Sequence, residues 1–236
     1  MKKWIWVAIG SAVLVIGAVT FSIVLVNTRD VKGSSFNIEG TWRFFEQGKT
    51  DQREEYYVFK NGKASNYFEG KLLSESAYEF SSSNSAFTEA QISFVDRHKS
   101  YVFSRRPETN NVFTLYPDQT TSYTFVRTKE DEHLNPSTFT EEQFQNKTYD
   151  VVLHANSVKK EKEYIVFDQT SFTFYRDDEV FLADHAEFHV NNNVFTSPGF
   201  SFRVCHFDTK YVRLVQVIIE PTTTQVLYYP WEWTIR

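Results

Sequence analysis

The chain has 236 residues, 17% of them aromatic and 41% hydrophobic, with a formal charge of −5. That apolar content excludes a disordered chain, because burying it offsets the entropy of ordering the backbone. The single Cys205 excludes a disulfide-stapled or Cys-ligated zinc scaffold, and the net acidity argues against a nucleic-acid partner, which needs more basic surface than Arg105-Arg106 supplies.

Lys2 and Lys3 precede an uncharged run from Trp4 to Val26, closed by Asn27, Thr28, Arg29 and Asp30. As a helix this run spans roughly 34 Å, enough for a hydrocarbon core of about 30 Å. Trp4 and Trp6 sit at the interface position, and the two lysines belong on the cytoplasmic side, so residues 1–30 are expected to be a single-pass membrane anchor with the rest of the chain outside. A cleaved signal peptide is the alternative, although its apolar core is usually shorter and Thr20 and Ser22 make a poor cleavage site. Residues 31–35 form a short linker.

After the linker, Gly40-Thr41-Trp42 opens the first predicted strand. Glu55–Phe59 and Ala64–Phe68 flank Lys60-Asn61-Gly62-Lys63, where Asn-Gly supplies the positive φ angles of a tight hairpin turn. Asn110-Asn111 and Pro117-Asp118 punctuate later runs. At a fixed offset of 108, Glu55–His98 matches Glu163–His206 without gaps, 13 of 44 positions being identical. The identities include Glu55-Tyr56 on Glu163-Tyr164, Phe59 on Phe167, Phe80 on Phe188, Phe94 on Phe202 and His98 on His206. The chain therefore carries a duplicated unit, residues 36–128 and 144–236, and the matched phenylalanines are its expected cores.

The expected fold class is all-β: two tandem homologous domains of about six to eight short strands, each an up-and-down antiparallel barrel or sandwich, because closure removes exposed edges. Gly40-Thr41-Trp42 resembles the Gly-x-Trp opening of lipocalin-like barrels, in which the Trp closes the barrel floor; unit two has Lys147-Thr148-Tyr149 there. The resemblance implies an extracytoplasmic barrel that binds an apolar molecule or a protein partner, with Trp42 either at that site or simply a core plug.

Between the units, residues 129–143 hold five acidic side chains and one lysine, which reads as a solvated connector. Within it Thr138-x-x-Glu141 has capping-box spacing. In unit two, Asp177-Asp178 and Asn191-Asn192-Asn193 mark turns. His185, Glu187 and His189 fall on one face of a strand and could hold a zinc-like ion, with Leu182, Ala186, Phe188 and Val190 on the buried face. From Leu227 to Ile235, alternation puts Tyr229, Trp231 and Trp233 on one face, and Pro230 implies a strand edge.

No phosphate loop, nucleophile elbow, HExxH helix or CxxC pair occurs. His98 and His206 are expected to be hydrogen-bonding turn residues, and Cys205 and His206, being adjacent on a strand, point apart. The expected function is a membrane-anchored, non-catalytic module that binds or scaffolds a protein partner of the cell envelope, without a cofactor. The alternatives are lipocalin-like binding of an apolar ligand or lipid and, third, a metal-dependent enzyme using His185, Glu187 and His189. Trp42, Tyr229, Trp231 and Trp233 are the candidate ligand- or partner-binding residues.

Overall fold

The computed structural model describes residues 36–49, 54–82, 90–105, 109–153, 162–219 and 225–236. The expected anchor, residues 1–30, lies outside them, and among the described residues no helix is long and apolar enough to cross a membrane. Apart from two three-residue 3-10 turns, at Val95–Arg97 and Glu141–Gln143, every described element is a strand. In unit one β1 (Gly40–Glu46), β2 (Glu55–Lys60), β3 (Lys63–Phe68), β4 (Lys71–Ser82), β5 (Ala90–Phe94), β6 (Lys99–Arg105), β7 (Val112–Tyr116) and β8 (Tyr123–Arg127) close an antiparallel barrel in chain order. The β2–β3 turn forms as its sequence requires, with φ of 53° at Asn61 and 74° at Gly62.

Unit two contains β9 (Thr148–Leu153), β10 (Glu163–Phe167), β11 (Ser171–Arg176), β12 (Glu179–Glu187), β13 (His189–Asn191), β14 (Val194–Ser197), β15 (Phe200–Phe207), β16 (Tyr211–Ile219) and β17 (Val226–Ile235). They form one nine-stranded antiparallel sheet in which β9 pairs with β17 and the two edges are β12 and β13. Those edges are consecutive in the chain and separated only by Phe188, so they are the two halves of one broken fourth strand, and the unit curls like its neighbour.

The repeat holds through the fourth strand and then slips. Unit two turns from β13 to β14 on Asn192 and Asn193, with φ of 49° and 62°, where unit one has the longer connection 83–89. Phe94 consequently ends strand five while Phe202 lies in strand six; both are buried, but they are not equivalent. His98 sits in the turn before β6 with φ of 50°, as expected, whereas His206 lies inside β15 at a register shift. Phe59, Phe167 and Phe188 are core residues; Phe80, near the end of β4, remains 38% exposed while touching Phe103 at 5.0 Å.

One closure of unit one is spelled out in its opening residues. Trp42 is fully buried, its Nε1 donates to the Ile38 carbonyl at 2.8 Å, and the Arg127 guanidinium lies 4.2 Å over its ring. Arg127 in turn donates to the carbonyls of Glu39 and Asn37. Gly40 makes room: its φ is 132°, and a Cβ there would come within 2.6 Å of Arg127 Nη1.

The two units are fused along a buried seam. Outward-facing Phe45, Val112 and Val126 of unit one pack with Leu153, Cys205, Val215, Val226 and Tyr228 of unit two. Within the seam Glu232 pairs with Arg213 at 2.9 Å, their side chains 4% and 9% exposed. Unit one completes the pair: Asn111 Nδ2 donates to Glu232 at 2.8 Å, Thr109 Oγ1 lies 3.3 Å from both carboxylate oxygens, and the Arg127 carbonyl accepts from Arg213. Elsewhere, Arg43 donates to the Val204 carbonyl.

Residues 129–143 run over the surface as a strap against both units, Glu132 and Phe139 buried and their other acids exposed or half-buried. Glu132 is 3% exposed, its carboxylate accepting from the Ser137 amide and hydroxyl. Thr41 holds the Glu130 carbonyl, and Asn193 bonds Ser137 and Phe139. The capping box falls on Thr140 and Gln143, two residues beyond the predicted spacing, because the chain is extended up to Thr140.

Two stability outcomes follow from these contacts. Gly40→Ala combines a strained φ with a clash against a held guanidinium and should cost about 2 kcal/mol, or roughly 4–8 °C in melting temperature, measured by thermal denaturation; an unchanged melting point would refute this account of the motif. Glu232→Leu strands a buried guanidinium and should cost about 3–5 kcal/mol in urea unfolding. The Arg213→Met/Glu232→Leu double variant should recover at least half of that, and a double variant no better than the single one would disprove the pairing argument.

Candidate functional site

The barrel interiors are filled by aromatic rings. In unit one Phe113 stacks on Phe125 at 4.5 Å and meets Trp42 edge-on at 4.6 Å; in unit two Phe188 stacks on Phe195 at 5.4 Å and Phe202 meets Trp231 at 5.5 Å. Such offset and edge-to-face pairs are the favoured packing of rings. Trp42, Trp231 and Trp233 are all at most 1% exposed. Trp231 and Trp233, candidate binding residues only if exposed, are therefore core: alternation along β17 sends both into the interior of unit two, while Val226, Tyr228 and Glu232 go into the seam. Half-buried Phe44, Tyr57, Tyr101 and Tyr123 sit beside the core of unit one, and burial pushes the Tyr57 hydroxyl up to about 12.

Of the four aromatic candidates, Tyr229 alone lines an open cavity. It stands with Leu227, Pro230 and Gln225 on one wall of a groove of about 390 Å³, whose other wall is Thr114, Tyr116, Thr120, Ser122 and Thr124 of unit one. Gln47, Gly48 and Tyr228 also line it. None of these lining residues is charged. The hydroxyls, amides and phenol rings of these described residues can satisfy a neutral polar chain.

The groove is held open by an unusual strand edge. β17 pairs with β16 along its length, but with β9 only from Glu232 onward, so that among the described residues no strand flanks residues 226–230 on that side. Pro230 is thus a local edge residue within an interior strand, which is how the expectation of an edge is met. Unit one covers that side: the Gln47 amide donates to the Tyr228 carbonyl at 2.7 Å and accepts from its N–H at 2.8 Å, and the Gly48 N–H bonds the Val226 carbonyl at 2.8 Å. A side-chain amide here stands in for a neighbouring strand.

The histidine triplet is not gathered. Phe172 pairs with Ala186 but Phe174 with Ala183, so Asp184 and His185 form a bulge. This bulge and a second one at Phe181–Leu182 break the alternation, which is why Leu182 is 41% exposed rather than on the buried face. His185, at φ 47°, meets Asp184 at 2.6 Å; His189, beyond the strand break, meets Glu141 at 3.2 Å. Among the described residues no three metal-ligating side chains converge. Cys205 faces the seam while His206 bonds Asp208 at 2.8 Å, and the two do not meet. Sequence reasoning missed Gln47 and the Thr114–Thr124 wall, for they gain meaning only opposite residues more than a hundred positions away.

Burial pushes the Cys205 thiol up from 9.0 to about 12. Its raised folded pKa means that its contribution to stability is complete below pH 9 and is lost as pH rises toward about 12. A maleimide should accordingly label Cys205 in the native protein at least a hundredfold more slowly than in denaturant at pH 7.5, and Glu232→Leu, by loosening the seam, should speed native labelling; fast native labelling would contradict the buried seam. No protein-family model, curated protein or solved structure matches the chain.

Proposed function

We propose that the chain is a membrane-tethered, extracytoplasmic binding module that holds a neutral polar segment of a protein partner in the groove between its barrels. The observation that carries this is the groove's construction: both units supply its walls, the seam fixes their spacing, and its lining is uncharged. The tether rests on the Trp4–Val26 run and its flanking lysines. The lipocalin-like alternative, an apolar ligand inside a barrel, would need space where Phe113 and Phe125 now touch at 4.5 Å. The metal-dependent alternative would need His185 and His189 to turn away from Asp184 and Glu141.

The test is site-specific photocrosslinking of the full-length protein in its native membrane. A photoreactive residue at Tyr116 or Thr120, at the groove, should give a discrete adduct that one at Leu134, 54% exposed on the strap, does not. Tyr229→Ala should reduce that adduct about tenfold, the loss of one interface anchor of about 1.4 kcal/mol. Identical adducts from groove and strap positions would defeat the proposal.

A further inference from the structure

The two repeats treat one sheet edge differently. In unit one the early part of β4 pairs with β3 up to Ala77, and pairing with β5 begins only at Tyr78. The 3-10 turn after β5 covers the uncovered stretch: Asp96 accepts the Ala77 N–H at 2.9 Å, and Arg97 donates to Ser74 at 2.7 Å. In unit two the same stretch is Glu179–Ala183, at the edge of the sheet and paired with β11 alone. The turn after strand five there is Pro198-Gly199, which brings neither a carboxylate nor a guanidinium, and among the described residues no side chain caps the backbone of this stretch.

An open strand edge is a template for adding another strand. Val180, Phe181 and Leu182 are 52%, 41% and 41% exposed; the last two stand in a bulge between the pairs Tyr175–Val180 and Phe174–Ala183, and the Arg176 guanidinium lies 3.4 Å over the Phe181 ring. Around them stand the exposed acids Glu179, Asp184 and Glu187. We propose that Glu179–Ala183 is a docking edge for an extended segment of a partner protein in which apolar and basic residues alternate. The backbone of the segment bonds the open edge, its apolar residues cover the exposed apolar side chains there, and its basic residues meet the acids. A second copy of this chain is the poorer occupant, because two such edges would set like charges against each other, and the bulges at Phe181–Leu182 and Asp184–His185 interrupt the ladder that two folded sheets would have to share, whereas an extended segment can follow them. This surface is separate from the seam groove and does not depend on it.

The experiment uses the full-length protein in nanodiscs of zwitterionic lipid and a rhodamine-labelled decapeptide of alternating valine and lysine, read by fluorescence anisotropy. Saturable binding is expected, at least tenfold tighter than for the valine–glutamate decapeptide. N-methylation of alternate peptide amides should weaken it at least tenfold, since it removes the donors that extend the sheet; the Glu179→Lys/Glu187→Lys variant should do the same, and Tyr229→Ala should leave binding unchanged. Absence of saturable binding, or equal binding of the methylated peptide, overturns the proposal, the latter showing a merely acidic surface. Dimerisation by analytical ultracentrifugation that Glu179→Lys/Glu187→Lys abolishes would overturn it in favour of a second copy.

Discussion

The arrangement of the molecule depends on one buried carboxylate. Glu232 lies on the outer face of β17 and, in an isolated second unit, would sit in water beside Arg213. Once unit one covers it, the charge must be compensated in place, because taking an ion out of water costs far more than a hydrophobic contact returns. The compensation is divided: the guanidinium comes from its own unit, while Asn111 and Thr109 come from the other. Apolar seam residues such as Phe45, Val126 and Val215 would tolerate a range of relative positions. A carboxylate with directional donors tolerates few, so the pair contributes orientation more than energy.

From that fixed orientation the groove follows. Its two walls belong to strands that share no hydrogen-bonded ladder, and their spacing is set by the seam and by the Gln47 amide that completes the edge of β17. Covering residues 226–230 with a side chain, rather than with a strand, leaves space beside it that a ladder at about 4.8 Å would have filled. The uncharged lining is thereby sheltered from collapse, and the strap, pinned by buried Glu132 and by Asn193, holds both units from a second direction.

What could be read from sequence was what local chemistry decides. Asn61-Gly62 makes its turn because two positive φ angles are needed in adjacent residues, and the Gly40-Thr41-Trp42 opening marks a strand start whose glycine has a steric cause. Alternation correctly separated Trp231 and Trp233 from Tyr228 and Glu232, yet it could not say that the second face of β17 is also buried. The clue was that Val226 and Tyr228, on the supposedly outer face, are themselves apolar, the mark of a strand covered on both sides. His185, Glu187 and His189 misled because period-2 reasoning assumes an unbroken ladder; one bulge and one strand break separate them. The burial of Glu132 in the acidic strap could not be foreseen, since charge density says nothing about whether a particular carboxylate finds two donors in Ser137.

Duplication explains the fold economically, but the departures from it carry the functional argument. Strands two and three of the copies align at an offset of 108. Beyond them, unit one keeps the longer 83–89 connection and a 3-10 turn whose Asp96 and Arg97 seal the flank of β4, whereas unit two shortens the connection to a tight Asn192-Asn193 turn and breaks the strand at Phe188. The turn after strand five in unit two, Pro198-Gly199, brings no such side chains, so among the described residues the flank sealed in one copy is left open in the other. Exposed apolar residues stand at equivalent places, Leu72 and Leu73 in unit one and Val180 and Phe181 in unit two. Only where the backbone beside them is also uncovered can those side chains contribute to strand pairing, and that distinguishes the two halves of an otherwise repeated molecule.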